Sequence, residues 1–298
     1  MSESDRFTPQ PTADGSFTFF SDEFGEAFHS RYGARQEAYC QFVETTRLPE
    51  KAAQPSLCLL DICYGLGYNT AAALDAIWQI NPDCRIEWVG LESDPRVPQS
   101  AIAHHLLQDW SPQIQHILEQ LARQGRFRSD RLNATLHYGD ARQTIQLAEG
   151  DGIRADAVFL DPFSPKRCPQ LWTVDFLARV ARCTKPNGYL ATYSCAAAVR
   201  SALIEVGFAI ASTPPFGRNA PGTIASLEAA ELPPLPAIER EHLSTRAAIP
   251  YRDPSWCDPA EAIVRRRQIE QQQSNAEPTS QWKKRWFSAP QQRDRAED

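Results

Sequence analysis

Between residues 57 and 213 short apolar runs alternate with amphipathic stretches, and this alternation is what most restricts how the chain can fold. LCLLDI (57–62), RIEWVGLE (85–92), ATLHYG (134–139), ADAVFLD (155–161), YLATYSC (189–195) and FAIAST (208–213) have the length and residue types of buried strands. Helical patterns lie between them: NTAAALDAIWQI (69–80) ended by Asn81-Pro82, AIAHHLLQDW (101–110), QIQHILEQLARQ (113–124), DARQTIQLA (140–148), TVDFLARVARCT (173–184) stopped by Lys185-Pro186-Asn187-Gly188, and AAAVRSALIEVG (196–207). Parallel neighbours need a crossover, and here a helix supplies each one. The order therefore predicts an α/β fold, a Rossmann-like doubly wound sheet with helices on both faces. A last run, GTIASLEA (222–229), follows FAIAST after only the loop PPFGRNAP, which predicts an antiparallel strand at one edge of a mostly parallel sheet.

The flanks have a different texture. Residues 1–55, with FTFF (17–20) after the Asp14-Gly15 turn and a helical pattern from Ala34, read as an N-terminal cap. Residues 56–231 form the main domain, and 232–298 a C-terminal extension, partly helical and partly loose. In 298 residues, 42% of them hydrophobic, no apolar run approaches the roughly 20 residues that span a bilayer, so no membrane partner is expected. The polar start MSESDRFTPQPTADGS lacks the basic and apolar regions of a secretory signal, and the expected location is cytoplasmic. Eight cysteines show no CxxC pair and no zinc-like spacing; they read as reduced and structural, with no metal implied. A net charge of −6 argues against a broad nucleic-acid surface and leaves room for a local basic patch.

In such sheets ligands bind beyond the carboxyl ends of the strands. Acidic residues and glycines gather there: Asp61 with Gly65-Leu66-Gly67, then Glu92 and Asp94, then Gly139-Asp140, then Asp161-Pro162-Phe163-Ser164-Pro165. Thr70 stands where a dinucleotide fingerprint needs its third glycine, and GK[ST] of a phosphate loop is absent, so a hydride-transferring dehydrogenase is disfavoured. A carboxylate beside the loop repels a pyrophosphate but suits the cationic S-adenosylmethionine. Glu92, 25 positions beyond Gly67, is then spaced to accept the ribose hydroxyls, and Asp140 to meet the adenine amino group. Asp94, just before Pro95, reads as a turn residue.

The DPFSP turn carries the chemistry. Methyl transfer to nitrogen needs a free lone pair aimed at the donated methyl, so a carboxylate on a rigid turn, Asp161, can align an amine while Phe163 shields the transfer. Trp172 could line the pocket or stack on a base, with a core position equally open. Lys166 and Arg167 follow the turn directly and would rim its mouth.

FLDPFSPKRCPQLWT, LDICYGLGYNT, FGRNAPGTIAS and the N-terminal EAFHSRYGARQEA together resemble the MnmC-like methyltransferase family over residues 17–228. The resemblance implies a class I S-adenosylmethionine-dependent methyltransferase that converts the 5-aminomethyl group of wobble (2-thio)uridine in tRNA to 5-methylaminomethyl. It further implies that Asp61, Gly65, Gly67 and Asn69 cradle the methionine part of the cofactor, that Glu92 and Asp140 hold its ribose and adenine, that Asp161 lies beside methyl and amine, and that Arg218 contacts phosphate. The implied partners are the tRNA anticodon stem-loop and the enzyme that makes the aminomethyl precursor. Two departures stand out: Cys63 replaces the loop's first glycine, and the roughly 70 residues after the fold are too few for the flavin-dependent domain found in many relatives. An aminopropyltransferase, a small-molecule N-methyltransferase and a noncatalytic nucleoside-binding or RNA-binding scaffold remain as alternatives on the same fold.

Overall fold

The apolar runs meet in one eight-stranded sheet. In the computed structural model, which describes residues 7–217, 219–228 and 232–287, the strands are β1 (Ser56–Ile62), β2 (Arg85–Glu92), β3 (Arg126–Arg128), β4 (Leu132–Tyr138), β5 (Ala155–Leu160), β6 (Thr184–Thr192), β7 (Ala209–Ser212) and β8 (Thr223–Ser226). Their order across the sheet is β7-β8-β6-β5-β1-β2-β4-β3. β1 is central, parallel to β2 on one side and to β5 on the other. From there the chain steps outward to β4 in one direction and to β6 in the other, both parallel. This reversal leaves a crevice beyond the carboxyl ends of β1, β2 and β5, where doubly wound sheets take their ligands.

The main helices are α1 (Tyr68–Ile80), α2 (Arg96–Ala103), α3 (Pro112–Gln124), α4 (Ala141–Gly150), α5 (Val174–Arg182) and α6 (Ala197–Glu205), followed in the extension by α7 (Ala260–Gln273) and α8 (Thr279–Phe287). Successive strand residues face opposite sides of a sheet, and β1 shows the consequence. Leu57 and Leu59 join a core cluster with Leu74 and Ile77 of α1 and Leu118 of α3. Leu60 and Ile62 join another with Ile145 of α4, Phe176 of α5 and Leu203 of α6. The flanks share these cores: Phe19, Phe42 and Leu48 pack in the first, Tyr251 and Ile263 in the second.

Three local features depart from the sequence pattern. Residues 101–110 are not one helix: α2 starts at Arg96 and ends at Ala103, and His105 turns the chain at φ +55°. The Lys185-Pro186-Asn187-Gly188 segment does not end a helix ahead of a strand but lies inside β6, where the register with β5 shifts between Thr184 and Tyr189. Proline has no amide hydrogen to give a ladder, and the irregularity accommodates it. The basic run after α3 forms β3, antiparallel to β4. The last two runs pair antiparallel at one edge of the mostly parallel sheet, as expected, with β7 outermost and β8 between it and β6, antiparallel to both.

Gly90 in β2 serves packing. A Cβ there would lie 2.2 Å from the Trp88 ring and 2.9 Å from Leu136, so the bare backbone makes room for a fully buried indole. Trp88 in turn meets the Tyr64 ring edge-on at 5.7 Å beneath the turn that follows β1. Gly90→Ala should therefore overpack this site and lower stability by about 1–3 kcal/mol. Urea unfolding checks it, an unchanged midpoint counting against the assignment.

Candidate active site

The chain leaves β1 through a turn of alternating left-handed residues: Cys63 at φ +70°, Gly65 at +58° and Gly67 at +93°. The amides of Cys63 and Tyr64 both donate to the Leu91 carbonyl, at 2.9 and 3.0 Å, and the Gly65 amide donates to Glu92 Oε2 at 2.8 Å. The turn is thus tied to the end of β2 by its own backbone. Cys63 adopts the conformation that a glycine would take without strain, which costs an L-residue roughly 1–2 kcal/mol. Its side chain lines the cavity, and burial holds its thiol well above the usual range, so it stays protonated.

A cavity of about 1020 Å³ opens above this turn. Gly65, Glu92, Asp140, Asp161 and Phe163 line it from the strand ends, and residues of the N-terminal segment, including Phe24, Glu26 and Phe28, line it from above. The segment is latched to the DPFSP turn. Ser164 donates its amide (2.9 Å) and hydroxyl (2.5 Å) to the Glu26 carboxylate. Phe24 stacks on Phe163 at 4.4 Å, and Phe28 meets the same ring edge-on at 5.0 Å.

The proposed residues fall into distinct places. Asp161 is half-buried, and its Oδ2 accepts from Asn69 Nδ2 at 2.9 Å, so Asn69 reaches the cavity through Asp161 rather than by lining it. Glu92 is buried, its Oε1 accepting from the Asp94 amide at 2.8 Å, and burial raises its pKa. Asp140 caps α4 by accepting from the Arg142 amide at 2.9 Å. Asp94, also on the cavity wall, is forked by Arg96 at 2.7 and 2.6 Å. Lys166 and Arg167 are exposed beyond the turn, with the Arg167 guanidinium against Gly25 of the N-terminal segment. Arg218 lies outside the described residues.

Three placements correct the sequence reading. Asp61 does not line the cavity; it is fully buried behind the turn, with Oδ2 accepting from the Thr70 hydroxyl at 2.6 Å and Oδ1 lacking a hydrogen-bond partner among the described residues. Gly67 also lies off the cavity: a Cβ there would sit 2.6 Å from the Tyr64 hydroxyl, so the glycine is required by an aromatic ring under the loop. Trp172 is fully buried and cannot stack on a base; its indole donates to the Phe163 carbonyl at 2.9 Å and fixes that residue from behind. The pattern also missed Phe24, Glu26 and Arg142, since nothing local in a short N-terminal strand or a helix start announces a cavity wall.

The lining suits a cationic ligand. Among the described residues, eight carboxylates (Asp22, Glu23, Glu26, Glu37, Glu92, Asp94, Asp140, Asp161) and two guanidiniums (Arg96, Arg142) line the space. Such a field attracts a sulfonium and an α-amino group and repels a pyrophosphate. S-adenosylmethionine therefore fits the donor set, with Gly65, Glu92 and Asp140 as its candidate contacts.

A solved structure, the crystal structure of MnmC2 from Aquifex aeolicus, is similar over 92% of this chain and 87% of that one, at 33% identity and a TM-score of 0.79. This chain belongs to the MnmC2 methyltransferase family. A family model described as S-adenosyl-L-methionine-dependent methyltransferase matches residues 98–228. An uncharacterized Methanocaldococcus jannaschii protein is 32% identical over 72% of this chain and 58% of its own length. The tRNA 5-methylaminomethyl-2-thiouridine biosynthesis bifunctional protein MnmC of Chromohalobacter salexigens is 30% identical over 82% of this chain. The match spans only 35% of that bifunctional protein. The MnmC2 kinship and the cavity agree on an S-adenosylmethionine-dependent methyltransferase.

Two outcomes follow. Burial raises Asp61 to about 7, against the hydrogen bond from Thr70 and with the Glu92 charge adding to the rise. Folded Asp61 holds its proton more tightly than the unfolded chain does, so this contribution is complete below about pH 4 and is lost as pH rises toward 7. Asp61→Asn should flatten the decline in melting temperature across that window; an identical decline would show that Asp61 does not titrate there. For the turn, Cys63→Gly should leave stability and turnover within about twofold, because relieved strain offsets lost packing, whereas Cys63→Val should unfold at least about 1 kcal/mol more easily. Equal stability of the two variants would contradict the left-handed assignment.

Proposed function

We propose that the chain methylates the primary amine of 5-aminomethyl-(2-thio)uridine at the wobble position of tRNA, giving the 5-methylaminomethyl base. The observation that carries this reading is the Asp161 carboxylate, aimed by Asn69 at the cavity and flanked by Phe163, Phe24 and Phe28. Among relatives, the name of the C. salexigens protein supports the substrate class.

When bound, S-adenosylmethionine supplies an electrophilic methyl on a positively charged sulfur. Gly65 would offer bare backbone to it, Glu92 would accept from the ribose hydroxyls and Asp140 from the adenine amino group, while Asp61 supports the turn from behind through Thr70. Asp161 accepts a hydrogen bond from the incoming amine, orients its lone pair and takes up the proton the amine must shed. The three phenylalanines exclude water and present faces that tolerate a cationic centre. Glu26, fixed to Ser164, keeps the aromatic wall closed over the turn. A wobble base sits in a loop and can be splayed into a narrow pocket, and in this reading the exposed Lys166 and Arg167 would meet the backbone around it. Arg218 joins them in this reading.

The test is transfer of labelled methyl from S-adenosylmethionine to purified tRNA bearing 5-aminomethyluridine, read by nucleoside mass spectrometry. Label should appear in 5-methylaminomethyluridine, and its absence would overturn the substrate. Asp161→Ala should lower turnover by about 10²-fold or more with cofactor affinity nearly intact, while Glu92→Ala should mainly weaken cofactor binding. The reverse pattern would overturn the roles.

A further inference from the structure

The C-terminal extension meets the cofactor side of the cavity at the Arg142 guanidinium. Arg142, in the first turn of α4, lines the cavity with its side chain only 10% exposed. Its Nε and Nη2 fork the Asp140 carboxylate, at 3.0 and 2.6 Å from Oδ2. Its Nη1 points the other way, donating to Asp253 Oδ2 at 2.7 Å and to the Asp258 carbonyl at 3.0 Å. Both acceptors lie beyond residue 228, where the match to the family model ends.

The far end of this bridge is rigid. Asp253 is 1% exposed, and its Oδ1 accepts from the Ser255 hydroxyl at 3.0 Å and the Asp258 amide at 3.2 Å, while its own amide donates to Asp175 Oδ2 at 2.6 Å. Arg266 of α7 clamps Asp258 at 2.5 Å, and Arg179 of α5 lies over the Trp256 ring at 4.9 Å. The near end is fixed by backbone at one oxygen, Asp140 Oδ1 accepting from the Arg142 amide at 2.9 Å, and depends on the guanidinium at Oδ2. The Asp140 side chain is 38% exposed, and a carboxylate two residues from its arginine at a helix start has several ways to meet it.

We infer that the extension completes the cofactor site, with Asp253 acting as a positioning residue that fixes Arg142 and, through it, Asp140. Two physical effects follow from the geometry. Anchoring Nη1 leaves one orientation of the guanidinium fork, so Asp140 is held where it can accept from an adenine amino group. Sharing one cation between two carboxylates also leaves the triad with net negative charge, so Asp140 keeps its strength as an acceptor. Without the Asp253 charge, Arg142 belongs wholly to Asp140 and neutralises it. The inference rests on the reading of Asp140 as the adenine contact.

Calorimetric titration of the full chain with S-adenosylhomocysteine, well below each variant's unfolding temperature, tests both. Asp253→Asn keeps shape and one acceptor oxygen but removes the charge; it should raise Kd about tenfold, as losing a hydrogen bond to a charged group does. Asp140→Asn should raise it similarly, and the double variant no further than Asp140→Asn alone, because Asp253 acts through Asp140. Arg252→Ala, which removes ion pairs of the same extension to Glu205 and Glu270, should lower the melting temperature without changing Kd. An unchanged Kd for Asp253→Asn beside a weakened Asp140→Asn would overturn the inference and leave the adenine reading intact. Additive losses in the double variant would also overturn it. An unchanged Kd for Asp140→Asn would overturn the adenine reading itself.

Discussion

The turn between β1 and α1 is the constraint on which the rest of the site depends. Three left-handed residues in alternation reverse the chain within five positions, and each needs support that the turn cannot supply. The Leu91 carbonyl and the Glu92 carboxylate hold its amides from the end of β2, and the Tyr64 ring, itself resting against Trp88, fills the space beneath it. Two glycines, Gly67 and Gly90, are bare so that those two rings can lie there. The acceptor that pins the turn is also the carboxylate read as the ribose contact. Structure and binding are thereby coupled: Glu92 can meet a ligand only where the turn already holds it.

Around that fixed floor the cavity is closed by parts of the chain outside the central sheet. The N-terminal segment contributes the aromatic wall through Phe24 and Phe28 and locks it with Glu26 on Ser164. The C-terminal extension reaches the opposite side through the Arg142 bridge. Buried charge is costly unless paired, and Asp253 and Arg142 satisfy each other and their neighbours almost completely. An ion pair spanning 111 residues of sequence makes the extension a structural member of the site.

Much of this was readable in the residues. The acidic strand ends Glu92, Asp140 and Asp161 announced a ligand because a parallel sheet places successive strand ends along one edge, whatever the sequence distance between them. The resemblance of DPFSPKRCPQLWT and its companions narrowed the chemistry further. What escaped had no local signature. Asp61 and Gly67 sit in the right motif but face away from the cavity, since a motif fixes position along the turn and not which side of it a side chain occupies. Trp172 looked equally suited to wall and core, and only the packing of the second core cluster decided for the core.

The sequence by itself determined the α/β alternation, the mostly parallel sheet and the succession of carboxylates at its strand ends, because periodicity and turn chemistry act within a few residues. The tertiary structure decided which carboxylates line the cavity, that β8 enters the sheet one strand from its edge, that the Lys185–Gly188 breaker lies inside β6, and that the N-terminal segment lines the cavity while the C-terminal extension touches its wall at Arg142. Those outcomes depend on contacts between residues far apart in the chain, whose energies no local pattern records.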